Sequence, residues 1–163
     1  MATVYISIGS NIEAEHYLRV AINELRKHYG ALQLSSVYES EAVGFDGDNF
    51  LNMVIALHSD ESVETVAVTL RDIEDRHGRL RSGPRFSART LDLDLLLYDE
   101  LVLDKHSGLE IPRDEITKNA FVLWPLAEIA PELMHPVQGL SMKSLWAAFD
   151  KTSQKLWRVP MEF

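Results

Sequence analysis

Four segments with strand-like alternation and two with helical spacing follow one another as strand, helix, strand, strand, helix, strand. Residues 3–10, TVYISIGS, set Val4, Ile6 and Ile8 against Tyr5 and Ser7, the period of a strand with one buried face. Gly9-Ser10-Asn11 break that pattern, and Asn11 is the candidate N-cap of a helix over 13–29. Along that helix Leu18, Ile22, Leu25 and Tyr29 recur on one side, and Gly30 stands where a C-cap belongs. Residues 32–40 read as a second strand, 45–49 (FDGDN) as a loop, and 50–59 as a third strand antiparallel to the second. Val63, Val66, Leu70 and Ile73 mark a helix over 62–77. Residues 78–88 have no apolar period, two glycines and a proline, and read as a long, exposed, mobile loop. Residues 90–99 read as the fourth strand. The stretch 111–133 reads as turns and short helices broken by Pro112, Pro125 and Pro131, 141–150 as a short amphipathic helix, and 154–159 as a closing edge strand. This order predicts an α+β, ferredoxin-like sandwich, an antiparallel sheet with helices packed on it.

The 163 residues suit one domain, 1–163, and a 46% apolar fraction is ample for its core. No run of eighteen apolar residues predicts a membrane span. The N-terminus lacks the basic head and small-residue cleavage site of a secretion signal. There are no cysteines, which excludes disulfides and thiolate metal sites and fits a reducing, cytoplasmic location. A net charge of −9 disfavours nucleic acid as a partner. A monomer is expected, although no residue pattern reports on assembly. Against that acidic background, Arg71, Arg76, Arg79, Arg81, Arg85 and Arg89 form a local excess of arginine without a lysine.

The arginines run into TLDLDLLLYD, where two aspartates stand among leucines. Alternate side chains of a strand share a face, so Leu91, Leu93 and Leu95 point one way and Asp92 and Asp94 the other. Carboxylates rooted about 6.6 Å apart can share a metal ion or bracket two. Unpaired, two such charges raise one another's pKa. Magnesium suits the pair, since it takes one or two carboxylates and completes its shell with water and phosphate oxygens. A D-x-D strand also commonly just faces water. The arginines tip the reading, because guanidinium matches phosphate in bidentate fashion. For Arg71 and Arg76, on the helix, ion pairing with Asp72, Glu74 or Asp75 reads equally well; Arg81, Arg85 and Arg89 read as phosphate ligands. GxxxxGK[ST] and GxGxxG are both absent, and the six histidines are scattered.

Taken together, HGRLRSGPRFSARTLDLDLLLYD and IPRDEITKNAFVLWPLAEIAPEL resemble the 6-hydroxymethyl-7,8-dihydropterin pyrophosphokinase family of folate biosynthesis. The likeness runs from YISIGSN to about residue 135. It implies a ferredoxin-like fold and a kinase-type transferase that moves the terminal pyrophosphoryl unit of ATP to the pterin hydroxymethyl oxygen, leaving AMP. It further implies that Asp92 and Asp94 hold two Mg²⁺ ions. Arg81, Arg85 and Arg89 are implied in catalysis, with Arg71, Glu74, Arg79, Arg85, Arg89 and Arg113 on the ATP side. Phe86 and Phe121 would sandwich the pterin; Asn52 would bond its edge, with Phe50 nearby and further contacts from Ser40, Val43 and Gly44.

The chain departs from the family pattern at several points. Phe86, Ser87 and Ala88 stand where the family carries Trp-Gly-Pro, and Arg113-Asp114 where many members carry His-Tyr. Asn119 replaces a phosphate-facing arginine of some members. The metal and pterin residues are retained while the nucleotide clamp is altered, so a slow paralogue or a non-catalytic nucleotide- or pterin-binding module is the alternative reading.

Overall fold

The computed structural model describes residues 1–41, 48–78, 91–104 and 108–163. Its elements are β1 (Ala2–Ser10), α1 (Ala14–Tyr29), β2 (Gln33–Leu34), β3 (Val37–Ser40), β4 (Phe50–Ser59), α2 (Val63–Arg76), β5 (Asp92–Tyr98), a short 3-10 helix (Asp114–Thr117), α3 (Ala120–Ile129), α4 (Met142–Ala148) and β6 (Leu156–Val159). The sheet is antiparallel in the order β5-β1-β4-β3-β6, with β2 also on β4. Setting β6 aside, this is the ferredoxin-like arrangement expected from the segment order.

Strand alternation divides the apolar side chains between two cores. Val4, Ile6, Ile8, Met53, Ile55, Leu91, Leu93 and Leu95 pack against Leu18, Ile22 and Leu25 of α1 and Val66, Leu70 and Ile73 of α2. On the other face Val54, Leu96 and Leu97 pack under Val122, Leu123 and Leu126 of α3 and Met142 of α4. This adds a third layer to the sandwich. Each fully buried Leu or Ile contributes about 1.5–3 kcal/mol relative to exposure, which is what holds these helices on the sheet.

Two extra residues bend this plan. Residues 32–40 do not form one strand: β2 pairs Gln33 with Ala56 and Leu34 with Ile55, whereas β3 pairs Tyr38 with Asn52, a register one residue later. The slip is a bulge at Ser35-Ser36, where Ser35 Oγ accepts the Val54 N–H (2.9 Å). In β5, Tyr5 pairs with Leu97 but Ile6 with Leu95, leaving Leu96 over, so that Leu96 and Leu97 both enter the second core. Glu128 of α3 braces the first bulge, accepting from Ser36 N (2.9 Å), Ser36 Oγ (2.6 Å) and Tyr38 Oη (2.8 Å).

The helix ends partly differ from expectation. Asn11 does not cap α1. Glu13, at φ 46°, precedes the helix without a side-chain cap, and buried Asn11 instead donates to the Asp48 carbonyl (3.2 Å). Tying the two loops together satisfies its amide better than a cap two residues out of place. Gly30 ends the helix at φ 83°, as a C-cap glycine does. Ser62 Oγ accepts from Thr65 N and caps α2. Pro125 does not break its segment; it lies inside α3. Proline removes one helical hydrogen bond, but burial of Ala120, Val122, Leu123, Leu126 and Ala127 around this helix outweighs that loss.

The β6 edge is fastened by rings. Tyr38 packs on Trp124 (4.6 Å between centroids), Trp124 on Trp146 (5.4 Å), and the Arg158 guanidinium lies over both Tyr38 and Trp124. Near the turn after α3, buried His135 accepts the N–H groups of Val137 (3.2 Å) and Gln138 (3.1 Å) at Nδ1. Burial holds its pKa below the ordinary value. A depressed folded pKa keeps the ring neutral in the native state, so its contribution is complete above the unfolded pKa of about 6.5 and is lost as pH falls from there through the folded value. The melting temperature should therefore fall on mild acidification, and His135→Asn, which keeps an acceptor but cannot titrate, should flatten that slope.

Candidate active site

The polar residues of β1, β4 and β5 gather on the sheet face of the second core, beyond its apolar side chains. Cross-strand pairing sets Asp92 opposite Gly9 and Gly9 opposite Asn52, with Tyr38 beyond, so four strands contribute one row. In the next row, nearer the apolar core, Asp94 faces Ser7 and Ser7 faces Val54. Ser40 pairs with Phe50 at the far edge. Gly9 carries no side chain between Asp92 and Asn52. A Cβ built there meets Asn52 Oδ1 at 3.1 Å, so a larger residue at this position would crowd the amide.

Asn52 is buried, and its Nδ2 donates to Ser40 Oγ (2.8 Å). That bond fixes the orientation of the amide, with Oδ1 toward Gly9. Asp94 is one-fifth exposed. Burial, then the neighbouring Asp92 carboxylate, push its pKa well up, and Arg113 pulls in the other direction. Arg113 comes from the segment before the 3-10 helix, which is stitched to the outer edge of β5 by Arg113 N–H to the Leu96 carbonyl (3.0 Å). Its Nη2 lies 3.4 Å from Asp94 Oδ1 and 3.2 Å from Glu115 Oε1. Arg113 also borders a cavity of about 490 Å³ with Ile111, Pro112, Thr117 and His135.

Glu74 lies in the opposite layer. It is buried on α2, and Oε2 accepts the Leu93 N–H (2.8 Å), fastening the strand that carries both aspartates. Glu74→Leu should leave that amide unpaired and cost about 1–3 kcal/mol, read as a lower midpoint in urea. Glu74→Gln keeps an acceptor and should stay near wild type. Arg71 sits nearly one turn earlier on α2, exposed. Phe121, at the start of α3, is partly buried and packs against the second core. Phe50 is partly buried at the mouth of β4.

The described structure thus brings together Ser40, Phe50, Asn52, Asp92, Asp94 and Arg113. Val43, Gly44, Arg79, Arg81, Arg85, Phe86, Arg89 and the expected mobile loop lie outside the described residues. Sequence reasoning missed Gly9 and Glu115. From sequence, Gly9 in the GSN tripeptide reads only as a strand end, and Glu115 is one acid among many.

Asp92 and Asp94 stand at adjacent same-face positions of β5, with Arg113 beside Asp94. Among the described residues no group of three or more His, Asp or Glu could hold a metal by itself. A pair completed by substrate oxygens is the donor set that Mg²⁺ accepts, and the strain on Asp94 is what a cation there relieves, so the residues fit the ion.

The class of protein defined by this fold is a ferredoxin-like α+β sandwich, here with an acidic pair and an arginine on one sheet face. Residues 5–131 match the family model for 7,8-dihydro-6-hydroxymethylpterin-pyrophosphokinase (HPPK), and the chain belongs to that family. It is 34% identical over 146 residues to the 2-amino-4-hydroxy-6-hydroxymethyldihydropteridine pyrophosphokinase of Aquifex aeolicus, covering 88% of this chain and 89% of that one. The protein of the same name from Pseudomonas aeruginosa is 35% identical over 149 residues, covering 89% and 90%. In fold it is similar to the Plasmodium falciparum HPPK-DHPS wild type with SDX-DHP, with a TM-score of 0.70 at 14% identity. That match covers 90% of this chain and 43% of the longer one. Among the described residues no helix is long and apolar enough to cross a membrane.

Proposed function

We propose that this chain transfers the pyrophosphoryl group of ATP to the hydroxymethyl oxygen of 6-hydroxymethyl-7,8-dihydropterin, the folate-synthesis step that its family name describes. The hydroxyl oxygen bonds to Pβ, the bond from Pβ to the oxygen bridging Pα breaks, AMP leaves with that oxygen, and the hydroxyl proton is lost. The observation that carries this reading is the row Asp92–Gly9–Asn52, with Asp94 in the next row, which sets the acidic pair and an oriented amide on one sheet face with only a glycine between them.

Asp92 and Asp94 would hold Mg²⁺, two ions in all. Bound there, the metal supplies charge neutralisation and Lewis acidity toward phosphate and hydroxyl oxygens. The chain's own groups do the positioning on which phosphoryl transfer chiefly depends. Asn52, its amide set by Ser40, reads the pterin edge. Phe121 and Phe86 flank the ring, with Phe50 beside it and the Val43-Gly44 backbone adding contacts. Glu74 acts through Leu93, holding the acidic strand in register. Arg71, Arg79, Arg81, Arg85, Arg89 and Arg113 meet phosphate charge.

Product analysis tests this. With ATP, the reduced pterin and Mg²⁺, AMP and pterin diphosphate should appear in equal amounts. Formation of ADP, or AMP released without pterin, contradicts the assignment. Binding of both ligands without any product would favour the non-catalytic alternative.

A further inference from the structure

Arg113 is held at its root and shared at its tip. Its N–H is fixed to the Leu96 carbonyl. Nε and Nη2 both meet Glu115 Oε1 at 3.2 Å, whereas a single, longer contact of 3.4 Å reaches Asp94. Glu115 is itself braced, because Asn119 Nδ2 approaches its other oxygen at 3.5 Å. The side chain is about one-third exposed, so its tip has room to move. A cation beside Asp94 offsets the repulsion of Asp92, the task a metal ion would otherwise perform. Two of the residues at which the chain departs from its family, Arg113 and Asn119, are joined through Glu115.

We propose that Arg113 is the resident counter-cation of the acidic pair, holding the place beside Asp94 until a metal–nucleotide complex arrives, with Glu115 as the carboxylate that retains it when it yields. The inference rests on the reading of Asp92 and Asp94 as metal ligands. It makes metal entry depend on nucleotide: a bare dication must displace the guanidinium without compensation, whereas a nucleotide brings phosphate charge for Arg113 to meet. Glu115 is a positioning residue, since it competes with Asp94 for the same guanidinium.

The test is Mn²⁺ binding to the nucleotide-free protein at millimolar metal, read by electron paramagnetic resonance of the free ion. A single long contact in a partly exposed pair is worth about 1 kcal/mol, roughly fivefold in affinity. Arg113→Met should therefore bind Mn²⁺ about fivefold more tightly than wild type. Glu115→Gln, which leaves Arg113 to Asp94, should bind more weakly by a similar factor. Asp94→Asn should abolish the binding. Opposite shifts for the first two variants support the proposal, and a merely structural role would not produce them. Binding that is lost in Asp94→Asn but indifferent to Arg113 and Glu115 overturns the proposal and leaves the metal site standing. Binding unchanged in Asp94→Asn overturns both. No detectable binding by a folded Arg113→Met protein also overturns the proposal.

Discussion

Asp94→Asn should lower single-turnover AMP formation by about three orders of magnitude while leaving the protein at least as stable as wild type. The loss is estimated from what one preorganised charged group is worth in a transition state. The stability follows from the site. Asp94 is one-fifth exposed beside Asp92, and burial and that neighbour raise its pKa. A raised folded pKa on an acid means that the native state binds the proton more readily than the unfolded chain. Ionisation therefore costs stability, increasingly as pH rises through the folded value. An amide of the same shape removes that cost, so the gain in melting temperature should be larger at neutral than at acid pH. Rapid-quench product analysis beside thermal melts at two pH values checks both halves. A wild-type rate would remove Asp94 from the chemistry, and a large fall in melting temperature would make its role structural.

The second large effect is expected at Asn52. Asn52→Leu keeps the branched shape but removes every side-chain hydrogen bond, including the donation to Ser40 Oγ. A site built to pair a polar ligand edge discriminates strongly when that pairing fails, so kcat/KM for the reduced pterin should fall about a hundredfold or more. Ser40→Ala leaves the amide in place but frees its orientation and should lose less. Binding of a non-hydrolysable ATP analogue should be unchanged in both. Equal losses for nucleotide and pterin would place Asn52 in general packing instead.

Much of the fold is legible because period-2 and helical spacings alternate cleanly, and the order of segments alone selects the ferredoxin-like arrangement. What escapes are the features that depend on pairing. The bulges at Ser35-Ser36 and Leu96 each insert one residue that alternation cannot count, since apolar side chains flank the insertion on both sides. Asn11 looks like a cap by position, yet its partner, Asp48, lies 37 residues away. Pro125 reads as a breaker because local rules price the missing hydrogen bond and not the burial around α3.

The site divides in the same way. Asp92 and Asp94 stand out as charges among leucines, and Asn52 as an amide in an apolar strand. Gly9 matters only because register puts it between Asp92 and Asn52, and Glu115 only because it shares Arg113 with Asp94. Glu74 illustrates the converse. Its position on α2 is legible, but the amide of Leu93 as its partner is set by how the helix lies on the sheet.

The most direct measurement is anomalous scattering from crystals grown with Mn²⁺ and a non-hydrolysable ATP analogue. The account predicts peaks within coordination distance of the Asp92 and Asp94 carboxylates, with phosphate oxygens completing the shell and Arg113 withdrawn from Asp94. Nucleotide bound with no anomalous density at those two carboxylates would contradict it.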